Sequence, residues 1–441
     1  MSAVAHFFRR YRLAVIVLLI LGIYAFEAHA RRQFNPSPAS QGDQSAYLAY
    51  AQLMHDSGYS FVGERNRMPV FTFLLSLIYR PGMTETQFLE RAQAFNVNLS
   101  ILLLFLLFLV FRKLFPPIYA VALLVITAFG VFLYRAPLVQ TEVLFYGVSF
   151  GAFLLLARML IAPRWWLAVV SGIVIGLAHL TKASVLPGLA LWAVLFVAQS
   201  FWPRRTSDES QPRKLWQRFG MLLLVFGTFL GVIFPYVRTS KQLYGQYFYN
   251  VNSTFVLWCD SSEEGWVFLS ALQEKGSLRE FPPDQIPSAA KYWREHSVSQ
   301  IVQRLAHGVG RLATQKAMWT SYYKFFVAFF LTAAILVARQ PRRLVRLIGE
   351  KPFAAAFCFL FCLLYLLLFA WYEKIITDTR FILSIFLPFI FSASVLVLGL
   401  AQDRSLRLGT WRLPFAQLFA GILMALALID AGYNAYRAFR G

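Results

Sequence analysis

Charge is scarce in this chain: 14% of its 441 residues are Asp, Glu, Lys or Arg, while 58% are hydrophobic, and the mean hydropathy is +0.56. That composition excludes a dissolved globular protein, because too little polar surface exists to cover the apolar bulk. Cysteine is nearly absent, and the three present build no disulfide framework. Cys358 and Cys362 stand one helical turn apart in an apolar run and read as packing residues, and Cys259 is left without a mate or a redox role. Also missing are the phosphate-binding glycine loop, His-Glu-x-x-His, paired-cysteine motifs and the nucleophile elbow, so no soluble-enzyme chemistry is announced. Acids are outnumbered, 21 against 42 Lys and Arg, for a formal charge of +21. The surplus is scattered between apolar runs rather than gathered on one face, which excludes a nucleic-acid partner and points to membrane topology.

Apolar sequence is what the chain has in abundance. Stretches long enough to cross a hydrocarbon core of roughly 30 Å cover 13–30, 94–111, 117–134, 139–157, 165–181, 184–202, 219–237, 322–338, 352–371, 381–401 and 413–431. The expected fold is an all-α polytopic membrane protein, one domain over 1–441 with about eleven transmembrane helices. Basic residues mark alternate connections: Arg9 to Arg12, Arg112 and Lys113, Arg158 and Arg164, Arg204 to Arg218, Arg339 to Lys351, and Arg404 to Arg412. Lys and Arg are retained on the cytoplasmic side, so the N-terminus is expected there and the C-terminus on the far side. A cleaved signal peptide ending at Ala28-His29-Ala30 is the alternative for the first span, but its apolar run is long for that role.

Two polar segments then face away from the cytoplasm, 31–93 and 238–321. In the first, the run from Asp43 suits a short interfacial helix, and Met68 to Ile78 is too short to cross. In the second, Pro282, Pro283 and Pro287 break the chain before an amphipathic helix expected from Ala289 to Lys316.

Ionisable groups at the outer ends of spans are costly near lipid, which makes each a candidate: Asp43, Arg67, Glu142, Lys182, Asp378 and Arg380. Each also has an ordinary reading. Asp43 suits a helix N-cap, Asp378 a solvated loop acid, and Arg67 and Arg380 interface anchors. Lys182 fits a snorkelling lysine as well as an anion ligand, and Glu142, just inside a span, requires a partner, a raised pKa or a water-filled cavity.

In order along the chain come Gly42-Asp43-Gln44 with Tyr47 and Ala51, Arg67-Met68-Pro69, Arg91 to Asn96, Pro137 with Thr141-Glu142, and Gly172 to Lys182. Val237-Arg238, Tyr244-Gly245, Asn252-Ser253-Thr254 and Arg380-Phe381 follow. This series resembles the GT-C superfamily of polyprenyl-phosphate-sugar glycosyltransferases, nearest the protein-mannosyltransferase and aminoarabinose-transferase type, over nearly the whole chain. The resemblance implies an inverting glycosyltransferase. It moves sugar from a polyprenyl-phosphate donor to a lipid, glycan or protein acceptor on the outer face of a membrane, bacterial inner membrane by the nearest likeness. The implied partners are membrane lipid, the lipid-linked donor and the acceptor, with no cofactor. Segment 31–93 becomes the catalytic loop and 238–321 the substrate or acceptor region. Asp43 is the implied base; Lys182, Arg380 and Arg67 bind the donor phosphate; and Glu142, Tyr47, Arg238 and Asn252 support them, Glu142 by pairing with Arg67 or Arg135. Aromatic residues of the later segment, among them Tyr247, Phe248, Tyr249, Trp258 and Trp266, suit sugar stacking or an interfacial belt. Many relatives have a second acid where this chain has Gln44, which implies a metal-independent reaction. A flippase for lipid-linked sugars, or a non-catalytic relative, is the alternative, although no internal repeat or broken-span symmetry favours a transporter.

Overall fold

The computed structural model describes residues 3–34, 37–61, 63, 65–202, 211–276, 278–315, 318, 322–376, 378–402, 404–408 and 411–440. Arg204, Arg205 and Lys316 lie outside the described residues. Lipid offers no water to the backbone, so apolar runs satisfy their N–H and C=O groups internally as helices. In chain order, α1 (Ala3–Phe34) leads into the first polar segment with α2 (Gln44–Asp56) and α3 (Pro69–Ser76). Next are α4 (Glu85–Leu114) and α5 (Pro117–Val125), the latter continuing as a π-helical stretch over Ile126–Phe132. They are followed by α6 (Glu142–Ile161), α7 (Trp165–Thr181), α8 (Leu186–Phe201) and α9 (Gln211–Tyr244). The second polar segment carries α10 (Val251–Thr254), α11 (Ser262–Lys275), α12 (Ala289–Glu295) and α13 (Val298–Thr314). Last come α14 (Lys324–Arg339), α15 (Pro341–Glu350), α16 (Pro352–Tyr372) and α17 (Thr379–Leu400). An antiparallel hairpin of β1 (Ser405–Leu408) and β2 (Trp411–Pro414) then leads to α18 (Phe415–Arg440).

Among the described residues seven helices are long and apolar enough to cross a membrane: α1, α4, α6, α8 with the turn before it, α9, α16 and α17. An eighth is added if α14 and α15, bent by 106° where they meet, make one span. The other three expected crossings are shorter apolar helices over Pro117–Phe132, Trp165–Thr181 and Phe415–Ile429. The all-α architecture fits an integral membrane protein; seven or eight of the described helices are long enough to span, and the expected count of about eleven is not confirmed.

The Gly-x-x-x-Gly pattern of α7 is a packing device. A Cβ on Gly172 would lie 2.6 Å from the Val225 carbonyl oxygen, and one on Gly176 2.7 Å from the Val232 side chain. Only a residue without a side chain lets α7 and α9 approach so closely, as small residues do between helices in lipid. Each polar segment has its own apolar anchor. Tyr47, Phe71, Leu75 and Phe88 pack with Val139 and Leu144 beneath the first; Tyr249, Phe255, Phe268 and Phe281 pack with Ile375 beneath the second. The single helix expected from Ala289 is two, because Ser297 starts α13 with a capping box to Gln300.

Candidate functional site

Asp43 precedes α2, yet it does not cap it: no side-chain cap hydrogen bond is made there. Its carboxylate is taken by two arginines. Arg67 Nη2 donates to Oδ1 at 2.7 Å and Arg380 Nη1 donates to Oδ2 at 2.7 Å. The backbone delivers Asp43 through Gly42, whose φ of +64° and 3.0 Å Cβ approach to Gln140 Nε2 exclude a side chain. Behind it, the fully buried Gln44 donates to the Pro38 carbonyl at 2.9 Å and accepts from the Val139 N–H at 2.7 Å. A carboxylate could not donate that first bond, so Gln44 is a clamp between the first polar segment and the connection before α6.

Glu142 is buried, and its partners are not those expected. Lys182 Nζ lies 3.3 Å from Oε1 and Arg380 Nη1 lies 3.7 Å from it, whereas neither Arg67 nor Arg135 forms an ion pair with it. Its Oε2 is buried without a hydrogen-bond partner. Arg380 therefore joins both acids, and Asp378 Oδ2 lies 3.0 Å from its Nε as a third. Asp378 is no free loop acid: it caps α17 by accepting from the Arg380 N–H at 2.9 Å, and Arg135 approaches it at 3.4 Å. Lys182 Nζ also lies over the Phe381 and Phe145 rings, at 5.1 and 5.7 Å. It stands between α7 and α8, where Thr141 closes the turn by donating to the Thr181 carbonyl at 3.2 Å.

These groups line a cavity of about 470 Å³. The helices contribute Phe145, Leu186, Tyr365, Leu368, Phe369 and Phe381 to its lining, and the two polar segments contribute Tyr47, Asn66, Arg67, Phe248, Asn252 and Trp266. Asp43, Glu142, Lys182 and Arg380 also line it, which gives three cations against two carboxylates when Arg67 is counted. Burial, then the nearby Glu142 charge, pushes the Tyr47 phenol well above its ordinary value, so it is a neutral hydroxyl, with the Arg67 guanidinium 5.5 Å above its ring. Asn252 donates to Asn66 Oδ1 at 3.0 Å, and Asn66 Oδ1 also accepts from Arg67 at 2.8 Å.

Of the expected site residues, Asp43, Tyr47, Arg67, Glu142, Lys182, Asn252 and Arg380 share this cavity, while Arg238 is exposed on α9 and does not line it. The neighbouring cation that turns inward is Arg65. Its backbone sits at φ +59°, a left-handed conformation uncommon outside glycine, and its guanidinium lies 4.1 Å over the Tyr236 ring and bonds Thr239. Burial lowers its pKa from the ordinary guanidinium value. Asn250 receives this turn by donating to the Arg65 carbonyl at 2.9 Å. His179 is buried on the cavity wall among Phe229, Tyr236 and Phe248. Sequence reading missed Asn66, Asn250 and His179; only the closeness of Arg65 and Asn66 to the Arg67 motif hinted at them. Of the aromatics, Phe248 and Trp266 line the cavity, while Trp258 packs on Trp371 and Tyr249 stacks on Tyr244.

A second polar cluster ties the later segment to the end of α16. Asp260 meets His296 Nε2 at 2.9 Å, Lys374 Nζ at 3.3 Å and Arg304 Nη1 at 3.6 Å. Burial opposes the Asp260 charge, but Lys374 and His296 outweigh it and hold the carboxyl below its ordinary range. Among the described residues no three His, Cys, Asp or Glu side chains come together as a metal-holding group. No family model, curated protein or solved structure matches this chain.

Proposed function

We propose that the chain is an inverting glycosyltransferase that moves a sugar from a polyprenyl phosphate to a lipid, glycan or protein hydroxyl. One observation carries the reading. A single loop carboxylate, Asp43, is held at 2.7 Å by two guanidinia in a cavity that is also lined by apolar side chains of the helices. A ligand with a lipid tail and a charged head matches that mixture of apolar and charged lining. In this reading the bent pair and the three shorter helices are also crossings, and the alternate basic connections lie in the cytoplasm, so the cavity faces the non-cytoplasmic side, the periplasm of a bacterial inner membrane.

In this reading, three cations serve the phosphate on which charge develops as the sugar departs: two guanidinium forks and the Lys182 point charge. Without ligand the carboxylates occupy those cations. An arriving phosphate competes with Asp43 for Arg67 and Arg380, so donor binding releases the very group that must accept a proton. The acceptor oxygen then bonds to the anomeric carbon as its proton passes to Asp43, the carbon–oxygen bond to phosphate breaks, and the polyprenyl phosphate leaves with the electron pair. Attack opposite the phosphate inverts the centre and uses one carboxylate. Glu142 stays between Lys182 and Arg380 and spaces them.

The test is transfer from a pool of radiolabelled polyprenyl-phosphate sugars to membrane acceptors by wild type and Asp43→Asn at equal expression. A loss of about 10²–10⁴-fold with donor binding retained supports the assignment of the base. Equal transfer by both removes Asp43 from that role, and absence of transfer by wild type returns the chain to the flippase or non-catalytic reading.

A further inference from the structure

Away from the cavity, α15 carries surface chemistry that sugar transfer does not use. It leaves α14 at 106° and ends where α16 begins, so this helix of 10 residues is an elbow between two apolar helices. At 3.6 residues per turn, Leu344, Val345, Leu347 and Ile348 fall on one side and Arg342, Arg343, Arg346 and Glu350 on the other. Leu344 and Leu347 turn back onto the bundle core, Leu347 beside Gly399. Val345 stays 70% exposed and Ile348 43% exposed. Arg343 is tied to Gln402, donating to its carbonyl and to its Oε1, both at 3.2 Å. Arg342, Arg346 and Lys351 are exposed, and among the described residues no hydrogen bond or ion pair engages their side chains.

We infer that α15 binds the headgroup of an anionic phospholipid. Arg342 and Arg346 are one turn apart and offer two guanidinium forks to the same phosphate, with Lys351 at the end of the helix. Val345 and Ile348 lie beside them, where the acyl chain of that lipid covers what water now touches. Charge chooses the lipid. Four basic residues, Arg342, Arg343, Arg346 and Lys351, face one acid, Glu350, so a zwitterionic headgroup brings its own cation against a positive surface while an anionic one does not. A free phosphate fills only the polar half of the site and leaves both apolar side chains exposed.

The experiment uses the full chain, delipidated in detergent, with native mass spectrometry after addition of phosphatidylglycerol or phosphatidylcholine. Wild type is expected to retain phosphatidylglycerol about tenfold more than phosphatidylcholine, and R342Q/R346Q/K351Q to lose that preference with an unchanged thermal midpoint. R342K/R346K keeps the charge and should keep the preference, whereas V345S/I348S should weaken retention of the anionic lipid with all charges in place. Equal retention of both lipids by wild type, or an undiminished preference in the triple variant, overturns the inference. Displacement of phosphatidylglycerol by equimolar inorganic phosphate overturns the lipid assignment as well.

Discussion

Replacing Glu142 by Gln strikes the charge network at its driest point. The Glu142 side chain is 3% exposed and lies 3.3 Å from Lys182 and 3.7 Å from Arg380. After the change Arg380 still has Asp43 and Asp378, but Lys182 has lost its carboxylate. Removing one partner of a fully buried ion pair costs about 3–5 kcal/mol. Lys182 is 24% exposed and faces the cavity, so water takes up part of its charge and the cost falls to about 1–3 kcal/mol. In detergent this lowers the unfolding midpoint by on the order of 2–10 °C. Lys182→Met should lose a similar amount, because it leaves Glu142 with Arg380 alone, and the double variant should lose no more than either single one, giving a coupling energy of about 1–3 kcal/mol. Strictly additive losses in that cycle would show that the two groups do not support each other, and the network as drawn here would be wrong.

Gln44→Glu, which turns this chain toward the two-acid pattern of many GT-C enzymes, should destabilise by about 1–3 kcal/mol, because the donor to Pro38 is lost; a denaturant or thermal scan reads it. Gly172→Ala should push α7 off α9 and lower the thermal midpoint, while Gly227→Ala, with open space around its Cβ, should not. Asp260, held below its ordinary value, contributes stability that is fully present above the unfolded aspartate value of about 3.9 and lost as pH falls through the lower folded value. Limited proteolysis of the 238–321 segment should therefore accelerate on acidification in wild type, and Asp260→Asn should be already labile near neutrality, with a flatter profile.

Much of the architecture was legible because lipid imposes a simple rule on the backbone. Hydropathy located the spans, and length alone separated α3 from a crossing. The break before α13 was also written in the sequence, as Ser297-x-x-Gln300, but lost to a smooth amphipathic period, while α15, opened by Pro341, lies in what reads as a basic connection. The π-helical stretch at Ile126 and the hairpin from Ser405 carried no such mark. At the site, residue types and side of the membrane gathered seven candidates into one cavity, but partners were not readable. Glu142 meets Lys182 across a tight turn 40 residues on, and periodicity says nothing about such a contact. The expected cap at Asp43 failed because two guanidinia outcompete the backbone N–H groups of one helix turn for the same oxygens.

Arg380 also sets an order of assembly. Asp43 and Arg67 are 24 residues apart, and Glu142 and Lys182 are 40, so each acid finds a cation soon after it is synthesised. The third cation arrives 337 residues after Asp43, on the penultimate apolar helix. In a nascent chain Asp43 and Glu142 thus each gain a countercharge within 24 and 40 residues, yet the two local pairs become one cluster only when α17 docks. Truncation before that helix leaves a chain that can insert and pair its charges, with a cavity still missing the residue that joins its two halves.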